Sequence, residues 1–314
     1  MKKKKEKQPL NKLSTWDRVK RQLPFWVMLV IPIAKFLLFN YFPLFGIAIA
    51  FQDYKLGDPF ISPESRWVGF KWFQMFFKNP FAWRYIRNTL AISLRSIVFS
   101  FPMGIIIALI FNEITNLRFR NLVNSVSLLP HFISTVVIVA MLKTMFSVDG
   151  GIVNQALVAL GKQPINFMVS KDWYYTLYIG SGIWAGAGFS SLVYTAAISG
   201  IDPGLYEAAR MDGANRWKCM LRITVPCIAP TVITMFILRL GNILSVGYEK
   251  ALLMYSPAIY EVSDMISTYS YRVGIMEGKS SLSTAIGLMD SVVNLVVLVT
   301  ANKVSRKISE TSLW

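Results

Sequence analysis

The feature that most constrains this chain is a set of six apolar stretches, each long enough to cross a lipid bilayer. Such a crossing takes about 20 predominantly apolar helical residues. The predicted spans lie near Pro24–Phe51, Asn88–Phe111, Leu122–Phe146, Trp173–Ser199, Cys227–Leu253 and Leu282–Asn302. Hydrophobic residues make up 54% of the chain and charged residues only 16%, whereas soluble domains hold about 25% charged residues. The sequence therefore predicts an all-α, polytopic membrane protein with six transmembrane helices.

Lysine and arginine residues are distributed unevenly between the predicted loops. If the N-terminus is cytoplasmic, the inside tails and loops carry 18 of these residues and the outside loops carry 10. Because basic residues are enriched on the cytoplasmic side, we expect a multi-pass cell-membrane protein with both termini cytoplasmic. The net charge of +16 is then mainly a topology signal, and we expect no nucleic-acid partner. The Lys2–Lys5 run is suited to contact with anionic membrane lipid.

Three regions follow from this arrangement. We expect a basic cytoplasmic tail over residues 1–23, a six-helix transmembrane domain over 24–303, and a cytoplasmic C-terminal tail over 304–314. The outside loop over residues 52–87 is rich in aromatic side chains. Two interpretations of this loop stay open: an amphipathic segment lying on the outer membrane surface, and a docking surface for an extracellular partner.

No pattern typical of a catalytic or metal site occurs in the sequence. The single histidine, His131, and the two cysteines, Cys219 and Cys227, do not have the spacing of metal ligands. An intramembrane metalloprotease would need a His-Glu-x-x-His pair, and an aspartyl protease would need two intramembrane aspartates, of which only Asp290 qualifies. A Gly-rich phosphate loop is also absent. We therefore expect no catalytic residue, metal or cofactor in this chain.

The loop between the fourth and fifth spans, residues 200–226, carries the most informative pattern. Asp202 can cap a short helix that has Pro203 at its first position, and Gly213 allows the backbone to turn sharply after it. We expect a second short helix to follow. Physical reasoning alone leaves two interpretations open: a rigid helix that receives an outside force, and an ordinary amphipathic linker.

This loop resembles the EAA loop of ABC importer permeases. The pattern is Glu-Ala-Ala, three residues, Gly, nine residues, and Ile-x-(Leu/Val)-Pro. This chain matches it at Glu207, Ala208, Ala209, Gly213, Ile223 and Pro226, with Val225 where Leu is commoner. The resemblance implies the type I importer permease fold, in which the loop helix inserts into a cleft of a cytoplasmic ATPase. The residues expected to make this ATPase coupling are Tyr206, Glu207, Ala208, Ala209, Met211, Asp212, Gly213 and Ala214.

Further segments narrow the resemblance to one branch of sugar permeases. Leu129–Ser134 and Asp264–Arg272 resemble the branch that imports oligosaccharides from complex polysaccharides, including uronic-acid and rhamnogalacturonan fragments. That branch is similar to the larger maltose-type permease.

The family implies three kinds of partner. These are a second homologous permease, expected here to form a heterodimer, a cytoplasmic ATPase dimer that binds ATP and Mg²⁺, and an extracytoplasmic sugar-binding protein. The alternatives are a permease for another solute class and a secondary transporter or channel.

Polar side chains within the predicted spans are costly unless they face protein or a cavity. The candidate substrate-path residues are Arg239, Asn242, Glu249, Asp290, Asn294 and Trp184. On a continuous fifth span, the first three share one helix face, and Asp290 and Asn294 form an i,i+4 pair in the sixth. One interpretation is a buried structural network, with Arg239 paired to Glu249 or Asp290. The other is a sugar-binding wall in which Arg239 binds a carboxylate in a fork.

The fourth span combines aromatic residues with glycines. Trp184 can stack on a sugar ring, or it can serve as an interfacial anchor. Gly182 and Gly186, with Gly188 nearby, predict close approach of another helix, within the chain or at a subunit interface.

Overall fold

The computed structural model describes residues 15–55, 57–61, 65–309 and 312–313. The predicted lipid-binding run Lys2–Lys5 lies outside the described residues. The helices are α1 Thr15–Phe36, α2 Lys71–Lys78, α3 Ala82–Glu113, α4 Leu117–Leu128, α5 Thr135–Met145, α6 Ile152–Ala159, α7 Lys171–Ser199, α8 Pro203–Met211, α9 Arg216–Cys219, α10 Val225–Leu240, α11 Tyr248–Leu253, α12 Tyr260–Ser263, α13 Ile266–Tyr271 and α14 Ser280–Ser309. Short π or 3₁₀ segments lie at Leu37–Tyr41, Phe42–Phe51, Leu129–Phe132, Phe167–Val169, Met220–Thr224, Pro257–Ile259 and Arg272–Met276. An isolated antiparallel bridge joins Gln52 to Trp67.

Four helical stretches of the described chain are long and apolar enough to cross a membrane. They are Gln22–Phe51, Ala82–Glu113, Arg216–Leu240 and Ser280–Lys307. The bent pair Leu117–Phe132 and Thr135–Met145 is a fifth if its two limbs form one span. Helix α7 has sufficient length, but its many Gly, Ser and Tyr residues make it less apolar than the four. These helices confirm an all-helical polytopic membrane protein with four to five candidate spans in the described residues.

The third predicted span is bent rather than straight. Its two limbs meet at 94°. Pro130 lies in the 3₁₀ turn that ends the first limb, and the Ser134 hydroxyl caps α5 by accepting the Val137 N–H. Proline interrupts helical hydrogen bonding, and serine favours a new helix start. Local backbone chemistry therefore breaks a stretch that hydropathy alone predicts as one continuous span.

The prediction of a fifth span over Cys227–Leu253 is wrong in its boundaries. The membrane-length helix covers Arg216–Leu240 and ends in a turn that begins at Gly241. A Cβ atom at Gly241 would lie 2.7 Å from Cδ1 of Leu298, so this turn packs closely against α14. The sequence predicts a second short helix in the loop before this span. In the structure that segment is the beginning of the long helix Arg216–Leu240.

The non-helical segment after α10 finds its hydrogen-bond partners on α14. Oδ1 of Asn294 accepts the Leu244 N–H at 3.0 Å, and Nδ2 of Asn294 donates to the Ser245 hydroxyl at 3.0 Å. Lipid offers no hydrogen bonds to an interrupted backbone, so such partners have to come from the protein. Asn294 therefore braces the interruption.

Three buried clusters hold the helices together. One joins α3, α5 and α7 to the segment after α11 and includes Ile92 and Val139. A second joins α2, α3, α13 and α14 around Phe76 and Tyr269. The third joins α3, α7 and α10 around Ile228. Helix α3 contributes to all three clusters and packs extensively against α7, so this pair forms the centre of the bundle.

A buried ion cluster fastens the segment between α11 and α14 to the start of α3. The Asp264 carboxylate is 1% exposed and pairs with Arg84 at 3.4 Å and with Arg272 at 3.1 Å. The Thr268 hydroxyl donates to the same carboxylate at 2.8 Å. Asn88, also buried, donates to the Asp264 carbonyl oxygen at 2.9 Å. This segment is therefore held by charge and hydrogen bonds as well as by apolar packing.

We expect Asp264→Ala to lower the stability of the folded chain by about 3 kcal/mol, because it leaves two guanidinium groups without their buried carboxylate. Thermal unfolding of the detergent-purified protein measures the change. Glu261→Ala is the control, since it removes an exposed carboxylate that pairs with Lys171 at the surface, and such pairs contribute little. Equal losses in the two variants would contradict a structural role for the Asp264 cluster.

Candidate functional site

The loop between α7 and α10 begins with a capped helix. At the start of α8 the Asp202 carboxylate accepts the Gly204 N–H at 2.9 Å, and Pro203 occupies the first turn. Proline is suited to this position because the first N–H groups of a helix have no partner within it. The sequence prediction of this cap is confirmed.

The end of α8 is fixed by glycine geometry. Gly213 adopts φ +79°, and its N–H donates to the Arg210 carbonyl at 3.0 Å. The Ala214 N–H donates to the Ala209 carbonyl at 2.9 Å. These two bonds form a Schellman termination, in which the left-handed residue is usually glycine. The predicted sharp turn at Gly213 is therefore confirmed.

Helix α8 is attached to the bundle on one side and open on the other. The half-buried Tyr206 places its hydroxyl 2.9 Å from Oγ1 of Thr224, which is fully buried. The exposed residues of the loop helix are Glu207, Ala208, Arg210, Met211, Asp212 and Gly213, and the half-buried ones are Ala209 and Ala214. A cavity of about 340 Å³ beside the helix has Glu113, Glu207, Arg210 and Arg216 in its wall. The open side thus combines both signs of charge with the apolar Met211.

A second region lies between α3, α7 and the segment that follows α10. Two adjoining cavities, of about 380 and 140 Å³, share Ser96, Tyr178 and Arg239 in their walls. The larger cavity also contains Lys250, and the smaller one contains Asn242. Among the described residues, neither wall includes an aspartate or a glutamate. The two cavities therefore form one cationic space within the bundle.

The α7 wall of the larger cavity shows a repeat of four residues. Its members are Tyr178, Gly182, Gly186, Ser190 and Tyr194. This spacing places them along one helix face. No atom lies within 4 Å of an ideal Cβ at Gly186, so this glycine leaves space in the cavity wall. A Cβ at Gly188, by contrast, would collide with the Ser127 carbonyl, so the predicted close approach of helices within the chain is confirmed at Gly188.

The structure corrects the expectation that Arg239, Asn242 and Glu249 share one helix face. Arg239 lies in the last turn of α10, Asn242 lies in the following turn, and Glu249 lies in α11. The helix ends because the backbone turns at Gly241. Among the described residues, Arg239 forms no ion pair with Glu249 or Asp290.

The remaining candidate residues lie outside the two cavity walls. Glu249 is exposed on α11, and Trp184 is 48% exposed on α7. Asp290 is half-buried on α14, and its Oδ1 has no hydrogen-bond partner among the described residues. Asn294 braces the segment after α10. Of the six candidates, only Arg239 and Asn242 line the cationic space.

Lys250 is a cavity residue that sequence reasoning passes over. Its Nζ donates to the Tyr178 carbonyl oxygen at 2.6 Å and lies 4.6 Å from the centroid of the Tyr178 ring. A lysine within an apolar stretch is as strong a signal of function as an arginine. Hydropathy does not reveal the turn at Gly241, so the sequence does not predict that Lys250 and Arg239 line one cavity.

Comparison with known proteins identifies a family. Residues 100–310 match the family described as "Binding-protein-dependent transport system inner membrane component". The chain is also 38% identical over 280 residues to the polygalacturonan/rhamnogalacturonan transport system permease protein YteP of Bacillus subtilis (strain 168), covering 89% of this chain and 86% of YteP. The chain belongs to this family of binding-protein-dependent ABC transporter permeases.

Two solved structures have the same fold. One is a bacterial alginate ABC transporter in complex with an alginate pentasaccharide-bound periplasmic protein, with a TM-score of 0.85, 40% identity, and coverage of 95% of this chain and 99% of that chain. The other is a bacterial ABC transporter involved in the import of the acidic polysaccharide alginate, with a TM-score of 0.84, 41% identity, and coverage of 94% and 99%. The chain therefore has the ABC importer permease fold. It is the non-catalytic membrane subunit, and the nucleotide is bound by a separate ATPase chain.

We expect Gly213→Ala to loosen the end of α8, because a side chain at this positive φ is strained by about 1 kcal/mol or more. Amide hydrogen exchange at residues 213 and 214 would then accelerate about five-fold or more, since 1.4 kcal/mol corresponds to a factor of ten. Gly200→Ala is the matched control, because Gly200 has φ −86° and only ordinary contacts around an ideal Cβ. Unchanged exchange in Gly213→Ala would refute the Schellman termination.

Proposed function

We propose that this member of the permease family forms half of the translocation path of an importer for acidic, polysaccharide-derived oligosaccharides. The observation that carries the proposal is the identity of about 40%, over nearly the full chain, with the transporter of the acidic polysaccharide alginate. YteP, named for polygalacturonan and rhamnogalacturonan, supports the same substrate class.

We assign the coupling to the ATPase to the segment Tyr206–Ala214, which comprises most of α8 and the turn that ends it. Both ends of α8 are fixed by capping, so the helix is suited to move as a rigid body. The contact between Tyr206 and Thr224 connects it to the base of α10. Arg239 lies in the last turn of the same α10. A displacement of α8 by an ATPase would therefore be transmitted to the wall of the cationic space.

The proposed topology has six spans, with both termini in the cytoplasm. The bent pair α4–α5 supplies one span, and α7 supplies another, since its 29 residues extend about 43 Å at 1.5 Å per residue. The region boundaries are a basic tail at 1–23, a transmembrane domain at 24–303 that contains the coupling loop 200–226, and a tail at 304–314. Helix α14 continues into this last region as far as Ser309.

The proposed assembly contains a second homologous permease, with which this chain forms a heterodimer. A cytoplasmic ATPase dimer and an extracytoplasmic sugar-binding protein complete it. The alginate transporter relative was solved together with a periplasmic protein, which supports the last partner. The Gln22–Phe51 stretch has no buried residue in its most apolar window, so its faces are free for lipid or for the second permease.

The test of the proposed function is purification of the chain from its native membrane, followed by reconstitution into liposomes. We expect a second permease, an ATPase and a sugar-binding protein to copurify, and the complex to import a uronate oligosaccharide in an ATP-dependent manner. A stable chain without any ATPase would overturn the proposal in favour of a secondary transporter or channel. Import restricted to another solute class would overturn the assigned substrate.

We expect Glu207→Lys to uncouple ATP hydrolysis from transport, because it reverses a charge on the exposed side of α8. The ratio of sugar imported to ATP hydrolysed in proteoliposomes should fall at least 10-fold, equivalent to about 1.4 kcal/mol of coupling. Glu277→Lys is the control, because it makes the same charge change at a site that the topology places outside the cell. Normal coupling in correctly inserted Glu207→Lys would contradict the role of α8.

The orientation predicts opposite labelling of two cysteines introduced into a variant that lacks Cys219 and Cys227. A membrane-impermeant thiol reagent added to intact cells should label Glu277→Cys but not Arg210→Cys. Both positions have exposed side chains, so a difference in labelling between them reports the side of the membrane and not burial within the fold. Labelling of Arg210→Cys from outside would invert the proposed topology.

A further inference from the structure

We propose that Arg239 and Lys250 form a carboxylate-binding subsite within the translocation path, and that Lys250 determines selectivity for acidic over neutral sugars. This inference rests on the proposed function, because it assigns the charge of that substrate to a location in the bundle. Beyond the proposed function, it names Lys250 as a residue of the path, the carboxylate as the group that is bound, and charge as the basis of selectivity.

The charge balance of the cavity supports an anionic ligand. Arg239 and Lys250 both line the larger cavity, and neither forms an ion pair within the described part of the chain. A charged side chain in a membrane-spanning region is costly unless a cavity, the protein interior or a group of opposite charge receives it. Two cations that share one space also repel each other. A carboxylate placed between them would offset both costs, and a neutral ligand would not.

The geometry of Lys250 prepares its ammonium for such a ligand. One of the three N–H donors of the ammonium bonds the Tyr178 carbonyl at 2.6 Å, and the Tyr178 ring lies 4.6 Å away. These contacts leave two donors for a ligand. An ideal Cβ at Gly182 would lie 3.4 Å from Nζ, so glycine at this position keeps space open beside the ammonium.

The rest of the cavity wall suits a sugar. Ser96, Ser100 and Ser190 bring hydroxyl groups to it, and Tyr178 and Tyr194 bring aromatic rings. Its volume of about 380 Å³ is within the range of about 300–1,000 Å³ that is usual for small-molecule sites. Hydroxyl and aromatic groups bind any sugar, whereas the two cations distinguish a uronate from its neutral counterpart.

The test compares import of trigalacturonate with import of its methyl ester, which is neutral and has nearly the same shape. The complete transporter is reconstituted in liposomes, and each compound is supplied on saturating sugar-binding protein, so that the comparison measures the permease step. We expect the wild type to import the free acid at least 10-fold faster than the ester. Lys250→Met should reduce this ratio to near one, and Lys250→Arg should restore most of it.

Two further variants complete the test. Arg239→Gln should also lower the ratio of acid to ester, whereas Lys143→Met should leave it unchanged, because Lys143 lies on α5 outside the cavity wall. Copurification of the partner subunits shows that each variant still assembles. If Lys250→Met assembles and keeps the wild-type ratio, the carboxylate subsite is refuted while the proposed function stands. If the wild type imports neither compound, the assigned substrate fails and the subsite fails with it.

Discussion

Hydrogen bonding of the backbone at membrane depth is the constraint on which this structure depends. Lipid offers no partner to an N–H or a C=O group, so spans are helical and every interruption needs protein partners. The chain contains two interruptions within stretches that hydropathy predicts as continuous, near residues 129–134 and after Leu240. The second is braced by Asn294, which contacts Leu244 and Ser245. A polar side chain on one span therefore permits a break in another.

The break after Leu240 also creates the cationic space. A continuous helix through Glu249 would place Lys250 about three turns beyond Arg239, roughly 16 Å along the axis at 1.5 Å per residue. Because the backbone turns at Gly241, both cations line one cavity instead. The opposing wall needs room for their side chains, and Gly182 and Gly186 on α7 provide it. The fold and the candidate site are thus products of the same interruption.

Much of the fold could be predicted from the sequence because apolar length and capping residues act locally. The helical architecture, the Asp202 cap and the turn at Gly213 follow from such local rules, and the structure has all three. The bend after Pro130 and the end of α10 could not be derived from hydropathy, since each lies inside a stretch whose average is apolar enough to be predicted as one span. The roles of Asn294 and Lys250 depend on residues 50 and 72 positions away in the chain. A single sequence gives no measure of such long-range contacts.

Helix α10 has α8, which carries the proposed coupling segment, at one end and the cationic space at the other. Thr224 at the base of α10 is fully buried and contacts Tyr206 of α8, and Arg239 lies in the last turn before the break. Helix α10 is therefore joined at one end to the proposed coupling helix α8 and contributes Arg239 to the cationic space at the other. A rigid displacement of α10 would change the distance between Arg239 and Lys250, because Lys250 is held separately by the Tyr178 carbonyl of α7. In the proposed carboxylate subsite, such a separation of the two cations would weaken the binding of the carboxylate, so the movement proposed to open the path would also release the sugar.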